Sequence, residues 1–192
     1  MTSALDDGSS TTADHELEVL TWSQFGDASR ELARAVVASG WMPDLVVAIA
    51  RGGLVPAGAL AYALGVKAMG TLNVEFYTGV AQTLPEPVLL PPLMDTTTLP
   101  GSKVLVVDDV ADSGRTLELV MALVREHGLP ADGDGDGDGD GQITAGERLP
   151  VEARSAVFYT KSQSVIAPDY TWLRTDRWIS FPWSALPPVT EE

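Results

Sequence analysis

Residues 104–116 read VLVVDDVADSGRT, and the junction inside this stretch decides the architecture. Val104 to Val107 form a short apolar run without polar alternation, the pattern of a strand buried on both faces. Three acids follow at its tip, Asp108, Asp109 and Asp112, and then Ser113-Gly114-Arg115-Thr116. Beyond them Leu117, Val120, Met121 and Val124 recur at helical spacing, with Gly128 as a natural stop. The reading is strand, tight acidic turn, helix. The first N–H groups of a helix lack intrahelical acceptors, and the helix dipole favours an anion beside them. Ser113, Gly114 and Thr116 therefore mark a seat for phosphate. The neighbouring carboxylates would repel that phosphate unless they face hydroxyl groups or a metal cation.

The same alternation extends outward. DLVVAIA (44–50) is a second buried strand, broken by Arg51-Gly52-Gly53. VPAGALAYALG then predicts a helix with Pro56 in its first turn and Gly65 at its end. An earlier helix is expected over 27–39, with Leu32, Val36 and Val37 inward and Gly40 closing it. VKAMGTLNVEFY gives a third strand region, and another strand is expected near 154–160. Residues 78–101 hold five prolines and no period, which predicts a long mobile loop. Residues 1–16 are small, polar and aperiodic, a disordered acidic tail ahead of a single domain over 17–188. Buried strands alternating with helices predict an α/β fold, a parallel sheet with helices on both faces. Ligands of such sheets gather at the carboxyl ends of the strands, where Arg51-Gly52-Gly53 and the acidic turn both fall.

Composition narrows the chemistry. The 192 residues suffice for one domain with a real core. Cys is absent and His occurs twice, which removes thiolate chemistry and makes a histidine metal site or Ser-His-Asp triad implausible. No apolar run approaches the roughly 20 residues of a membrane span, and the first residues lack the features of a signal peptide, so a cytoplasmic location is expected. Twelve of the 27 acids lie at the two ends and in the Asp132–Asp140 alternation with Glu147; the remaining 15 face 12 Lys and Arg, so the net charge of −15 shrinks to −3 over the rest. That balance argues against non-specific nucleic-acid binding.

Three segments in order resemble the type I phosphoribosyltransferases. VLVVDDVADSGRT resembles their signature for phosphoribosyl pyrophosphate. GWMPDLVVAIARGGLVPAGALAYALG is similar to the pyrophosphate-loop region of the small bacterial xanthine–guanine enzymes. YTKSQSVIAPDY with DRWISFPWS resembles their purine-binding segment. The resemblance implies a Rossmann-like sheet with a small C-terminal hood over the base. It also implies a purine salvage enzyme that joins a 6-oxopurine (guanine, xanthine or hypoxanthine) to phosphoribosyl pyrophosphate with release of pyrophosphate, acting as a homo-oligomer.

By that resemblance Asp108 and Asp109 hold the ribose hydroxyls, directly or through Mg²⁺, a hard cation suited to carboxylate oxygens. The run Val110, Ala111, Asp112, Ser113, Gly114, Arg115, Thr116 cradles the 5-phosphate, with the Arg115 side chain read as solvated. Arg51, Gly52 and Gly53 bind pyrophosphate, Arg through its forked donors and the glycines by letting amides approach closely. Relatives often hold this loop in a cis peptide. Asp112 handles the proton at the purine N7 and is the catalytic candidate. Lys161 donates to the exocyclic carbonyl and so disfavours adenine. Trp178 stacks on the base and Ile179 adds backbone and packing, whereas Trp172 and Trp183 read as core.

The mobile loop of relatives often opens with a Ser-Tyr pair; EFYTG here keeps Tyr77 alone. DGDGDGQITAGE (136–147) fits a calcium loop through Asp136, Asp138, Asp140 and Glu147, although Asp-Gly alternation satisfies most of that pattern automatically. A flexible acidic linker is the alternative reading. Two other functions share the fold: a non-catalytic sensor of phosphoribosyl pyrophosphate, and a transferase for a different base. A sensor of that kind normally adds a nucleic-acid surface, which the charge opposes.

Overall fold

The computed structural model describes residues 17–79, 82–94, 102–127, 129–130, 148–149 and 151–190. The elements run β1 (Leu17–Val19), α1 (Trp22–Ala38), β2 (Leu45–Ala50), α2 (Leu54–Leu64), β3 (Ala68–Gly79), β4 (Gln82–Met94) and β5 (Lys103–Ala111). They continue with α3 (Arg115–His127), β6 (Leu129–Pro130), β7 (Arg148–Leu149), β8 (Glu152–Thr160), β9 (Tyr170–Arg174) and β10 (Trp178–Ser180). Six strands form one sheet in the order β4-β3-β2-β5-β8-β9. All its neighbours are parallel except β3 and β4.

Strand periodicity divides the core in two. Successive side chains of a strand point to opposite faces. Val46, Ala48, Leu105 and Val107 join Leu32, Val36, Ala57 and Leu60 in one cluster, which places α1 and α2 on one face of the sheet. Leu45, Val47, Val104 and Val106 join Leu117, Val120, Met121 and Val124 in the other, under α3. The apolar runs of β2 and β5 have no polar alternation because both of their faces are covered. The parallel sheet with helices on both faces is as the sequence predicts.

Several boundaries differ from the sequence expectation. Helix α1 starts at Trp22, five residues before the expected Asp27, because Thr21 and Gln24 form a capping box: the Thr21 hydroxyl accepts from Gln24 N–H at 3.3 Å, and Gln24 Oε1 accepts from Thr21 N–H at 3.0 Å. Gly26 lies inside that helix. Strand β5 runs on to Ala111, so Asp108 and Asp109 belong to the strand and only Asp112 onward forms the turn. The ladder with β8 carries it there, through Val110 opposite Tyr159 and Ala111 opposite Thr160.

The expected loop over 78–101 is corrected at Gln82–Met94, which pairs antiparallel with β3. Four prolines are tolerated there because β4 is an edge strand and its register with β3 shifts three times, so the missing N–H donors need not break an inner ladder. A short strand without a readable sequence pattern, β1, pairs parallel with β10, with Leu17 opposite Trp178 and Val19 opposite Ser180. The expected tail 1–16, the helix stop at Gly128 and the calcium pattern of Asp136, Asp138, Asp140 and Glu147 lie outside the described residues. Among the described residues no helix is long and apolar enough to cross a membrane.

Candidate active site

Strands β2 and β5 are parallel neighbours, so their carboxyl ends open on one edge of the sheet. The Ala50–Arg51 peptide after β2 is cis. Gly53 N–H donates to Ile49 O at 2.8 Å and Leu54 N–H to Arg51 O at 3.1 Å, a tight turn into α2. A Cβ on Gly53 would run into Val107 O, so the turn presses directly on β5. A Cβ on Gly52 would sit 2.5 Å from Asp109 Oδ2 and 2.7 Å from Asp109 Oδ1. The two sequence motifs therefore meet at Gly52 and Asp109, with Arg51 exposed beside them. Neither glycine could carry a side chain without moving the other motif.

Asp109 N–H donates to Asp108 Oδ1 at 2.9 Å. Burial, and then the charge of Asp109, pushes the Asp108 carboxyl well above the usual carboxylate range. Burial likewise raises Asp109 to about 6. Two adjacent carboxyls that resist ionising alone are a fitting donor pair for a divalent cation, whose charge would offset that cost. Among the described residues no group of three or more His, Asp or Glu could enclose a metal. Two carboxylates suit Mg²⁺, which keeps waters and completes its shell with substrate phosphate oxygens.

The turn Asp112-Ser113-Gly114 leads into α3, with Gly114 at φ 76°. Gly114 is packed as well as turned: a Cβ would strike Ser164 Oγ and lie 3.1 Å from Ile166 Cγ2. Val165 N–H donates to Ser113 O at 2.9 Å, and Lys161 N–H to Ala111 O at 3.1 Å. Residues 161–166 thus brace the turn from behind. Glu118 N–H donates to Gly114 O at 2.9 Å, and the helix amides ahead of it are the kind that find no intrahelical acceptor. Ser113 and Arg115 are exposed and Thr116 is half-buried.

Just past β8, Lys161 keeps only 12 % of its side chain exposed, with Nζ 3.5 Å from Asp112 Oδ1. The same nitrogen lies 5.7 Å from the centroid of the Trp178 ring. Asp112, Lys161, Trp178 and Ile179 line one cavity of about 410 Å³, together with Val110 and Phe181. That size is ample for a heterocyclic base. Trp178 is 66 % exposed, an open ring face, while Ile179, its neighbour in β10, is buried. Trp172 donates to Glu31 Oε2 at 2.8 Å, and Trp183 stacks on Phe181 at 4.9 Å; both pack against the core, as expected from the sequence. Two contributions were missed. Strand β1 holds Trp178 in place through β10, but three residues give too short a pattern to read. Gln163 donates from Nε2 to Asp112 Oδ1 at 2.5 Å, and no sequence signal marks it.

The site is that of an α/β sheet protein, with the loop after β2, the acidic end of β5 and the cavity lined by Lys161 and Trp178 side by side at the carboxyl edge. The model of the phosphoribosyl transferase domain matches residues 15–187, and the chain belongs to the phosphoribosyltransferase family. It is 30% identical over 171 residues to the xanthine-guanine phosphoribosyltransferase of Gluconobacter oxydans, spanning 88% of this chain and 84% of that one. It is 31% identical over 175 residues to the protein of the same name from Ruegeria sp., spanning 85% and 83%. Among solved structures, the purine phosphoribosyltransferase of Pyrococcus horikoshii superposes with a TM-score of 0.66 at 32% identity, covering 92% of this chain and 99% of that one.

Proposed function

We propose that the protein is a purine salvage enzyme that transfers the ribose 5-phosphate of phosphoribosyl pyrophosphate to a 6-oxopurine. The observation that carries this reading is the single cavity shared by Asp112, Lys161 and Trp178, opening beside the phosphate turn. Arg51 and the amide of Gly52 hold the pyrophosphate, while Gly53, whose own N–H is spent on Ile49 O, closes the turn against β5. Asp108 and Asp109 hold the ribose hydroxyls and would hold Mg²⁺. That ion, when bound, neutralises charge on the departing pyrophosphate. Ser113, Gly114 and Thr116 cradle the 5-phosphate with amides and hydroxyls, with Val110 and Ala111 leading the strand into the turn and Arg115 solvated at the helix start.

The bond from ribose C1 to pyrophosphate oxygen breaks as the bond from C1 to purine N9 forms, and the proton on N7 passes to Asp112. No covalent nucleophile is required. Trp178 stacks on the base, Ile179 adds its backbone and packing, and the Lys161 ammonium donates to the carbonyl oxygen at C6. The same ammonium has nothing to offer the amino group of adenine, since it carries only donors. A homo-oligomer in the cytoplasm belongs to the same reading. In Lys161→Met the stem volume remains and the charge is lost. The ratio of kcat/KM for guanine over adenine should fall at least about tenfold, the scale of one lost charged hydrogen bond. An unchanged ratio would remove Lys161 from base selection.

A further inference from the structure

We propose that Gln163 is a positioning residue for Asp112, an inference that rests on the assignment of Asp112 to the N7 proton. Asp112 is an exposed acid on a turn, with 49 % of its side chain open to solvent. Left alone, such a carboxylate turns freely about its side-chain bonds, and a proton acceptor that wanders loses the advantage of a fixed geometry. Here Oδ1 takes the Gln163 Nε2–H at 2.5 Å and faces Lys161 Nζ at 3.5 Å. Both donors converge on one oxygen, which leaves Oδ2 as the oxygen for the base. A carboxylate only accepts, so the Gln163 amide must turn its nitrogen toward it.

The support beneath Gln163 is rigid. Lys161 N–H is tied to Ala111 O, Ser164 N–H to Lys161 O at 3.1 Å, and Val165 N–H to Ser113 O. Ser162 N–H donates to Asp176 Oδ1 at 2.8 Å, and that bond holds the Asp176 carboxyl below its ordinary range. Ser164 Oγ closes the turn onto Ile166 O at 2.8 Å. One short segment therefore grips the phosphate turn through its backbone and aims Lys161 and Gln163 at the acid of that same turn. A bond between two exposed side chains adds little to stability, so the value of this one lies in orientation.

Gln163→Met keeps the bulk and removes the donor. The single-turnover rate of nucleotide formation should fall about tenfold, while KM for phosphoribosyl pyrophosphate and the thermal midpoint hold. Combined with Asp112→Asn, the same change should cost nothing further, because the two residues act as one unit. Gln163→Asn, a shorter amide, should recover part of the rate. A full rate in Gln163→Met beside a crippled Asp112→Asn overturns the positioning role alone, as do additive losses in the double variant. A full rate in Asp112→Asn overturns the assignment of the acid itself, and the positioning role with it.

Discussion

At Gly52 an alanine would place its Cβ 2.5 Å from Asp109 Oδ2, so Gly52→Ala must displace either the loop after β2 or the carboxylate. Overpacking of this kind costs about 1–3 kcal/mol. Here the strain falls on ligand groups, and KM for phosphoribosyl pyrophosphate should rise at least about tenfold with the circular dichroism spectrum unchanged. An unaltered KM would mean that the two motifs do not share one ligand. The residues of this contact were readable because glycines beside an arginine and paired acids at a strand end have few structural uses. Gln163 was not. It reaches Asp112 from 51 residues away in sequence, and a lone glutamine between serines carries no pattern until the fold brings the two together.

Helix α1 shows how a local signal is overlooked. Thr21 and Gln24 stand three apart, as a capping box requires, yet Gly26 follows them inside the first turns, where a glycine weakens a helical pattern. Thr21→Ala removes the acceptor of Gln24 N–H and should destabilise the protein by about 1 kcal/mol in denaturant unfolding, with turnover unchanged. A loss within error would mean the helix begins beyond Gln24. Strands β2, β5 and β8 were legible because apolar runs between helical patterns leave few other readings. Strand β4 was not, since its prolines argue against any inner strand, and only its place at the sheet edge accommodates them. Pairing of β1 with β10 is likewise a property of the assembled chain, invisible in three residues.

Across the whole molecule, the two central strands β2 and β5 deliver the pyrophosphate loop and the acidic turn to one edge, and β8 and β10 bring Lys161 and Trp178 beside them. Under the proposed function the layered fold sets the order of ligands along the edge: pyrophosphate at the β2 turn, ribose and phosphate at the end of β5, base against Trp178. Much of this order follows from the alternation of buried strands and helices, because parallel strands put every following loop on the same side. What could not be read in advance is how closely the neighbouring loops touch, and that closeness is what makes one site of three motifs. The decisive measurement supplies guanine, xanthine, hypoxanthine and adenine together with phosphoribosyl pyrophosphate and Mg²⁺, and separates the products. The expected products are 5′-monophosphates of the 6-oxopurines, each matched by one pyrophosphate. Adenosine monophosphate as the main product, or no nucleotide at all, would contradict it.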